Sequence, residues 1–207
     1  MSLEKAPEIL RSLVDAVLQR DEAAAERYAA DLLQASAAAP ELFIPLLDAP
    51  SPDLRWWGAR LLGETYQTSA FDALLRALRD SSTDVQQCAA LGLRHHALCG
   101  LDETQGARAV AALLPLLDAE DHLLRSLAGH ALSALGAPAV PALLETLRHG
   151  TPAARLTAMR ALAEIGDPRA IPAMFQAISE EETALIQHWA EQGLEKMGVG
   201  MTFFSPD

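Results

Sequence analysis

One five-residue string occurs twice in this chain without change, as Pro45-Leu46-Leu47-Asp48-Ala49 and as Pro115-Leu116-Leu117-Asp118-Ala119. A second echo runs through Ala139-Val140-Pro141-Ala142 and Ala170-Ile171-Pro172-Ala173. Five units superpose on the anchors Arg55, Gln86, Arg125, Arg155 and Gln187, in steps of 31, 39, 30 and 32 residues. A period of this size constrains the fold more than any other feature. Each unit is one small supersecondary element that cannot bury its apolar face alone, so neighbours must stack to make a continuous core.

The units share one grammar. A short apolar helix, predicted over 140–148 or 171–179, is followed by a polar turn and a longer second helix of about four turns, as over 152–165. Ser51-Pro52 and Thr151-Pro152 place a capping hydroxyl directly before a proline in the first helical turn, where its missing N–H costs nothing. Gly136 and Gly166 stand where second helices should end. Pro45 and Pro115 fall inside first helices and are expected to kink them. The long step contains Leu98-Cys99-Gly100-Leu101-Asp102-Glu103-Thr104-Gln105-Gly106-Ala107-Arg108, which is polar, carries two glycines and reads as a longer loop. Half of the residues are hydrophobic but only 5% are aromatic, so alanine and leucine supply the core and favour closely packed helices. No sustained alternation of β-branched and aromatic residues appears. The fold class is therefore all-α.

This grammar resembles HEAT repeats, and in detail the short phycobilisome-lyase-like variety. Ile165-Gly166-Asp167-Pro168-Arg169-Ala170-Ile171-Pro172-Ala173 is similar to that variety's inter-repeat turn. The resemblance implies an α-α superhelix, a right-handed solenoid of antiparallel helix pairs. Asp48 with Arg55, and Asp118 with Arg125, match the turn aspartate and second-helix arginine that form a polar ladder between repeats in the family. Gln86 and Gln187 replace the arginine, and His149-Gly150 replaces the aspartate, so the ladder is expected to be interrupted. The organisation expected is a helical cap over 1–39, with helical stretches over 3–19 and 22–38, then five repeats over 40–198. Their bounds are about 40–70, 71–108, 109–138, 139–169 and 170–198, and a tail over 199–207 includes the apolar Met201-Thr202-Phe203-Phe204.

The resemblance also implies that second helices line the concave side. Helical spacing then separates their faces. In the fourth unit Ala154, Ala158, Ala161, Leu162 and Ile165 point toward the first helices, and Leu156, Met159 and Ala163 toward a neighbouring repeat. Ala153, Thr157, Arg160 and Glu164 are left as a polar stripe. The same positions elsewhere are Asp53, Trp57, Arg60 and Glu64; Asp84, Cys88, Leu91 and His95; Leu123, Leu127, His130 and Ala134; and Leu185, Trp189, Gln192 and Lys196. Aromatic and aliphatic side chains rimmed by charge mark protein-interaction surfaces, and tryptophan and arginine are their usual anchors. The candidate partner-binding residues are therefore Asp53, Trp57, Arg60, Glu64, Leu91, His95, Leu127, His130, Thr157, Arg160, Glu164, Trp189 and Gln192. A helix or extended peptide of another protein is the expected partner. A stripe displaced by one position would instead bury Trp57 against neighbouring helices.

Charge narrows the alternatives. With 16 basic against 28 acidic residues the net charge is −12, the opposite of a phosphate-binding footprint, so no nucleic acid is expected as partner. Asp53 and Trp57 one turn apart, with Arg60 and Arg160, are similar to the kit of HEAT-like alkylpurine DNA glycosylases, but Asp53, Glu64, Asp84 and Glu164 outweigh the cations of that stripe. The family resemblance also offers a cofactor-handling subunit of the bilin-lyase kind, although no bilin site is marked. Di-iron hydroxylases of HEAT type carry His-Glu pairs, and this chain has none. His95 and His96 project about 100° apart on a helix and read as surface histidines rather than a metal pair. Cys88 and Cys99 lack disulfide or metal spacing and read as packing residues. No cofactor, metal or catalytic residue is expected, and the chain reads as a non-enzymatic scaffold. The stretch 126–144 holds no Asp, Glu, Lys or Arg, but His130, Gly136, Pro138 and Pro141 interrupt it. With no secretory signal at the N-terminus, a cytoplasmic protein without a membrane partner is expected.

Overall fold

The computed structural model describes residues 5–36, 39–180 and 183–199. Among them are eleven α-helices, several short 3-10 segments and no strand. The chain divides into two compact units, residues 1–100 and 101–207.

The first unit contains α1 (Ala6–Leu18), α2 (Glu22–Ser36), α3 (Pro52–Gly63), α4 (Thr68–Ala77) and α5 (Thr83–Cys99). α1 packs on α2, α4 pairs with α5, and the second helices α3 and α5 lie side by side. Between α2 and α3 the chain runs through two 3-10 segments, Pro40–Leu42 and Ile44–Asp48. Pro45 therefore does not kink an α-helix; it sits in the first turn of a 3-10 segment, where a missing N–H leaves no bond unmade. Phe43, Leu61, Leu62, Phe71 and Leu74 are fully enclosed, each stabilising the unit by about 1.5–3 kcal/mol of apolar burial.

α3 and α5 meet at glycine. A Cβ placed on Gly63 would stand 2.9 Å from the Cα of Gly92, and one placed on Gly92 would stand 3.0 Å from the Cα of Gly63. The two backbones touch with no side chain between them.

The second unit contains α6 (Glu103–Leu113), α7 (His122–Leu135), α8 (Val140–His149), α9 (Pro152–Ile165), α10 (Ile171–Ser179) and α11 (Ala184–Lys196). α7, α9 and α11 pack in series, with α6, α8 and α10 against them. Thr151 caps α9 by accepting the Ala154 N–H, and Gly166 ends it in the left-handed region at φ 70°. Gly136, at φ 69°, ends α7. Ser51 occupies the position before α3, but its hydroxyl makes no cap bond. Pro115 again opens a 3-10 segment, Leu114–Asp118, directly after α6.

The stretch expected as a long loop is mostly helical. α5 runs on to Cys99, and α6 begins at Glu103 behind a capping box in which Asp102 accepts the Gln105 N–H and Gln105 accepts the Asp102 N–H. Gly106 is buried inside α6. Polarity and two glycines suggested a loop; a local hydrogen-bond pair at the helix start overrode them.

The polar ladder exists in the first unit with a different register from a simple pair. Arg55 donates to Asp80 through Nε at 2.7 Å and Nη2 at 2.9 Å, and to the carbonyl oxygens of Ala49 and Pro50. Asp80 lies in the turn after the next first helix, α4, so the contact ties one hairpin to the following one. Gln86 donates to the Asp80 carbonyl at 2.7 Å, taking over part of the missing arginine's role. In the second unit Arg125 donates to the carbonyls of Ala119 and Glu120, while Asp118 accepts from the Thr151 hydroxyl at 2.5 Å.

The bent pair 122–135 and 137–149 turns by 115° at its break, and among the described residues no single helix is long and apolar enough to cross a membrane. The Met201–Phe204 segment and the acidic neighbours Glu181 and Glu182 lie outside the described residues.

Candidate functional site

The second helices present two clusters, one in each unit. In the first, Pro52 opens α3 and Asp53 follows in its first turn, where the positive end of the helix dipole favours a carboxylate. Trp56 and Trp57 come one turn later, their rings edge to face with centroids 5.3 Å apart. Trp57 is only 8% exposed and Trp56 is half-buried. Trp57 is thus not the exposed anchor expected of it. Adjacent helical residues point about 100° apart, and here the more open indole belongs to Trp56. Cys88, expected on the same stripe, is also buried, its sulfur 3.8 Å from the Trp56 carbonyl. Burial pushes its thiol up to about 12, which keeps it protonated and unreactive.

Arg60 lies one turn beyond the tryptophans. Its guanidinium stands 4.8 Å from the Trp57 ring centre and 5.5 Å from that of Trp56. Glu26 of α2 holds it with two hydrogen bonds, of 2.5 and 2.9 Å. That pairing lowers the Glu26 carboxyl and raises Arg60. Further along, Glu64 approaches the Nδ1 of His95 at 3.8 Å, and Leu91 is 39% exposed. A cleft of about 960 Å³ opens beside these residues, lined by Glu22, Glu26, Asp53, Trp56, Trp57 and Asp84 among others.

His96 does not lie on the surface. It is 3% exposed, its Nε2 is 3.3 Å from the Leu62 carbonyl, and the rings of Tyr66 and Phe71 pack on it. Burial lowers its pKa.

In the second unit Arg160 of α9 repeats the theme. Its guanidinium stands 5.2 Å from the centre of the Trp189 ring, on α11. It donates from Nε to Glu164 at 3.0 Å and from Nη2 to the Nε2 of His130 at 2.7 Å. A guanidinium can only donate, so this histidine nitrogen accepts. Ser133 donates to the other Glu164 oxygen at 2.6 Å, and Lys196 donates to the Glu164 carbonyl. A small pocket of about 110 Å³ lies among His130, Thr157, Arg160, Glu164 and Trp189. The Thr157 hydroxyl is turned back to the Ala153 carbonyl at 2.9 Å, Leu127 is half-buried, and Gln192 is exposed.

The structure therefore brings Asp53, Trp57 and Arg60 together, pairs Glu64 with His95, and gathers His130, Thr157, Arg160, Glu164 and Trp189. Leu91, Leu127 and Gln192 belong to neither cluster. Sequence reasoning missed Trp56 and Glu26. The Trp-Trp dipeptide was the available signal for the first; nothing local marks the second, which comes from the N-terminal hairpin. Among the described residues, no three His, Cys, Asp or Glu side chains converge as metal ligands.

The profile of HEAT repeats matches residues 39–132 and 110–195, well over half of the chain. The chain belongs to the HEAT-repeat family. Solved structures share the fold. The archaeal HEAT-like repeats protein from Thermococcus onnurineus NA1 is similar at a TM-score of 0.61 and 15% identity, covering 99% of this chain and 84% of that one. The complex of CpcE and CpcF of phycocyanin lyase from Nostoc sp. PCC7120 is similar at 0.53 and 21% identity, over 96% of this chain and 77% of that one. A designed armadillo repeat protein in complex with the peptide (KR)4 is similar at 0.57 and 17% identity, over 93% and 99%. No curated protein sequence matches. As a HEAT-repeat protein the chain has helical-repeat architecture, the phycocyanin lyase subunits being among its structural relatives.

Proposed function

We propose that this HEAT-repeat chain is a non-catalytic protein-binding or scaffolding module that meets its partner on the stripe of its second helices. One observation carries the reading: in each unit an arginine of the stripe lies over a half-buried tryptophan and is fixed by a carboxylate, Arg60 with Trp56 and Glu26, Arg160 with Trp189 and Glu164. Arginine and tryptophan held rigid before binding lose little conformational entropy when a partner arrives, which is what an interface anchor requires. The solved relatives support it by analogy of fold, since one is described in complex with a peptide and another as a complex of two chains.

Photo-crosslinking tests it. A photoreactive residue replacing Leu91 or Gln192, both exposed on second helices, should crosslink one and the same partner protein. The same residue at Thr104 or Gln176, exposed on first helices, should not. Crosslinks from Thr104 and Gln176 alone would overturn the reading.

A further inference from the structure

We infer that the cleft between α2, α3 and α5 of the first unit receives a lysine or arginine side chain from an extended basic segment of a partner protein; this rests on the protein-binding reading above.

The cleft is framed by the first turns of three helices, and each brings an acid: Glu22 on α2, Asp53 on α3 and Asp84 on α5. All three are exposed, and among the described residues no cation pairs with them. The two remaining carboxylates of the lining are already engaged. Asp21 caps α2 by accepting the Ala24 N–H at 3.0 Å, and Glu26 clamps Arg60. Against these five carboxylates the lining offers one guanidinium, that of Arg20. Helix dipoles favour an acid at each helix start, stacking of the hairpins brings the starts together, and the result is three carboxylates opening on one cleft beside the Trp56 indole.

The indoles supply the second half of the chemistry. Arg60 already rests over both rings, so the aromatic pair accepts a cation from within the chain. Its charge is neutralised by Glu26, which leaves Glu22, Asp53 and Asp84 as uncompensated carboxylates on the cleft beside Trp56. A cationic side chain entering there meets an aromatic surface and several acceptors at once, the combination that favours a guanidinium or ammonium over neutral groups. The cleft, about 960 Å³, exceeds what one side chain fills, so it accommodates several residues of an extended segment. The same charge repels phosphates and anionic membrane surfaces.

The test uses the full chain. A short synthetic peptide of alternating lysine and arginine is titrated against it at low ionic strength, read by tryptophan emission and calorimetry. Glutamate–aspartate and glutamine–serine peptides of equal length, and free spermine, are the comparisons. The basic peptide should bind saturably with one site, and the acidic and neutral peptides should not. D53N/D84N should weaken binding by about tenfold or more, W56A by a similar factor, and W56F by much less. E145Q/E191Q in the second unit, at exposed acids, should leave affinity unchanged. Circular dichroism and melting of each variant separate lost binding from lost folding. Undiminished affinity in folded D53N/D84N, or spermine bound as tightly as the peptide, would overturn the inference. If the basic peptide fails while Leu91 still crosslinks a partner, this inference falls and the broader reading stands; loss of both defeats both.

Discussion

His96 is a buried base without a charged partner. The fold holds it among Tyr66, Phe71 and the Leu62 carbonyl, and burial lowers its pKa from the ordinary 6.5. Below that ordinary value the unfolded chain takes up a proton that the folded chain refuses, so stability is intact above it and is lost as the pH falls toward the folded value. We expect the melting temperature to fall as the pH drops below about 6.5, the unfolding free energy losing at most about 1.4 kcal/mol per pH unit from this residue, and His96→Gln to flatten the fall. Arg55 belongs to a different window. Asp80 is lowered by its hydrogen bonds from Arg55, so this contact is intact above 3.8 and lost only in stronger acid. Arg55→Ala removes a charge-assisted, largely enclosed pair and leaves carbonyls unmet; urea unfolding at neutral pH should report a loss of about 2 kcal/mol. The resemblance implied an arginine contact between hairpins, but the acid that meets Arg55 is Asp80, not the expected Asp48. The burial of His96 was not anticipated, and that of Trp57 is the outcome a stripe displaced by one position would give. Both depend on a rotation of about one residue around a helix, which polarity patterns in alanine-rich helices resolve poorly.

At the scale of elements, the contact of α3 with α5 is sensitive to a single methyl group. Gly63→Ala or Gly92→Ala would press a methyl group into backbone, with no flexible side chain able to yield. Each should destabilise the chain by about 1–3 kcal/mol in thermal or urea melts, well beyond the effect of the same change at Gly106 inside α6, where nothing lies within 4 Å. α6 offers a milder test: Asp102→Ala removes one half of its capping box and should cost about 1 kcal/mol by the same measurement. Elements with both ends written in the chain were legible to the residue. α9 begins at Thr151-Pro152 and ends before Gly166 as the spacing predicts. α6 was not, because Gly106 and its polar neighbours resemble a loop, although the Asp-x-x-Gln box was present and would have corrected it. The 3.6-residue period placed Arg60 and Arg160 on the second helices but left Trp57 and Cys88 on the open face where the structure buries them, and partners on other helices, such as Glu26, require three-dimensional proximity that no period encodes.

For the molecule as a whole, a net charge of −12 sets two opposite salt responses. Like charges repel within each folded unit, so raising ionic strength toward physiological, where screening acts over about 8 Å, should raise the melting temperature modestly. Affinity for a basic peptide should fall over the same range. Observing both trends in one salt series checks that the charge acts separately on folding and on recognition. The bond from Glu26 to Arg60 carries a further consequence. The recognisable family pattern begins at residue 39, yet one wall of the acidic cleft, and the clasp that steadies its arginine, belong to the helix before it. Trimming this protein to its homologous portion would keep the repeats but release Arg60 from Glu26 and remove one wall of the cleft.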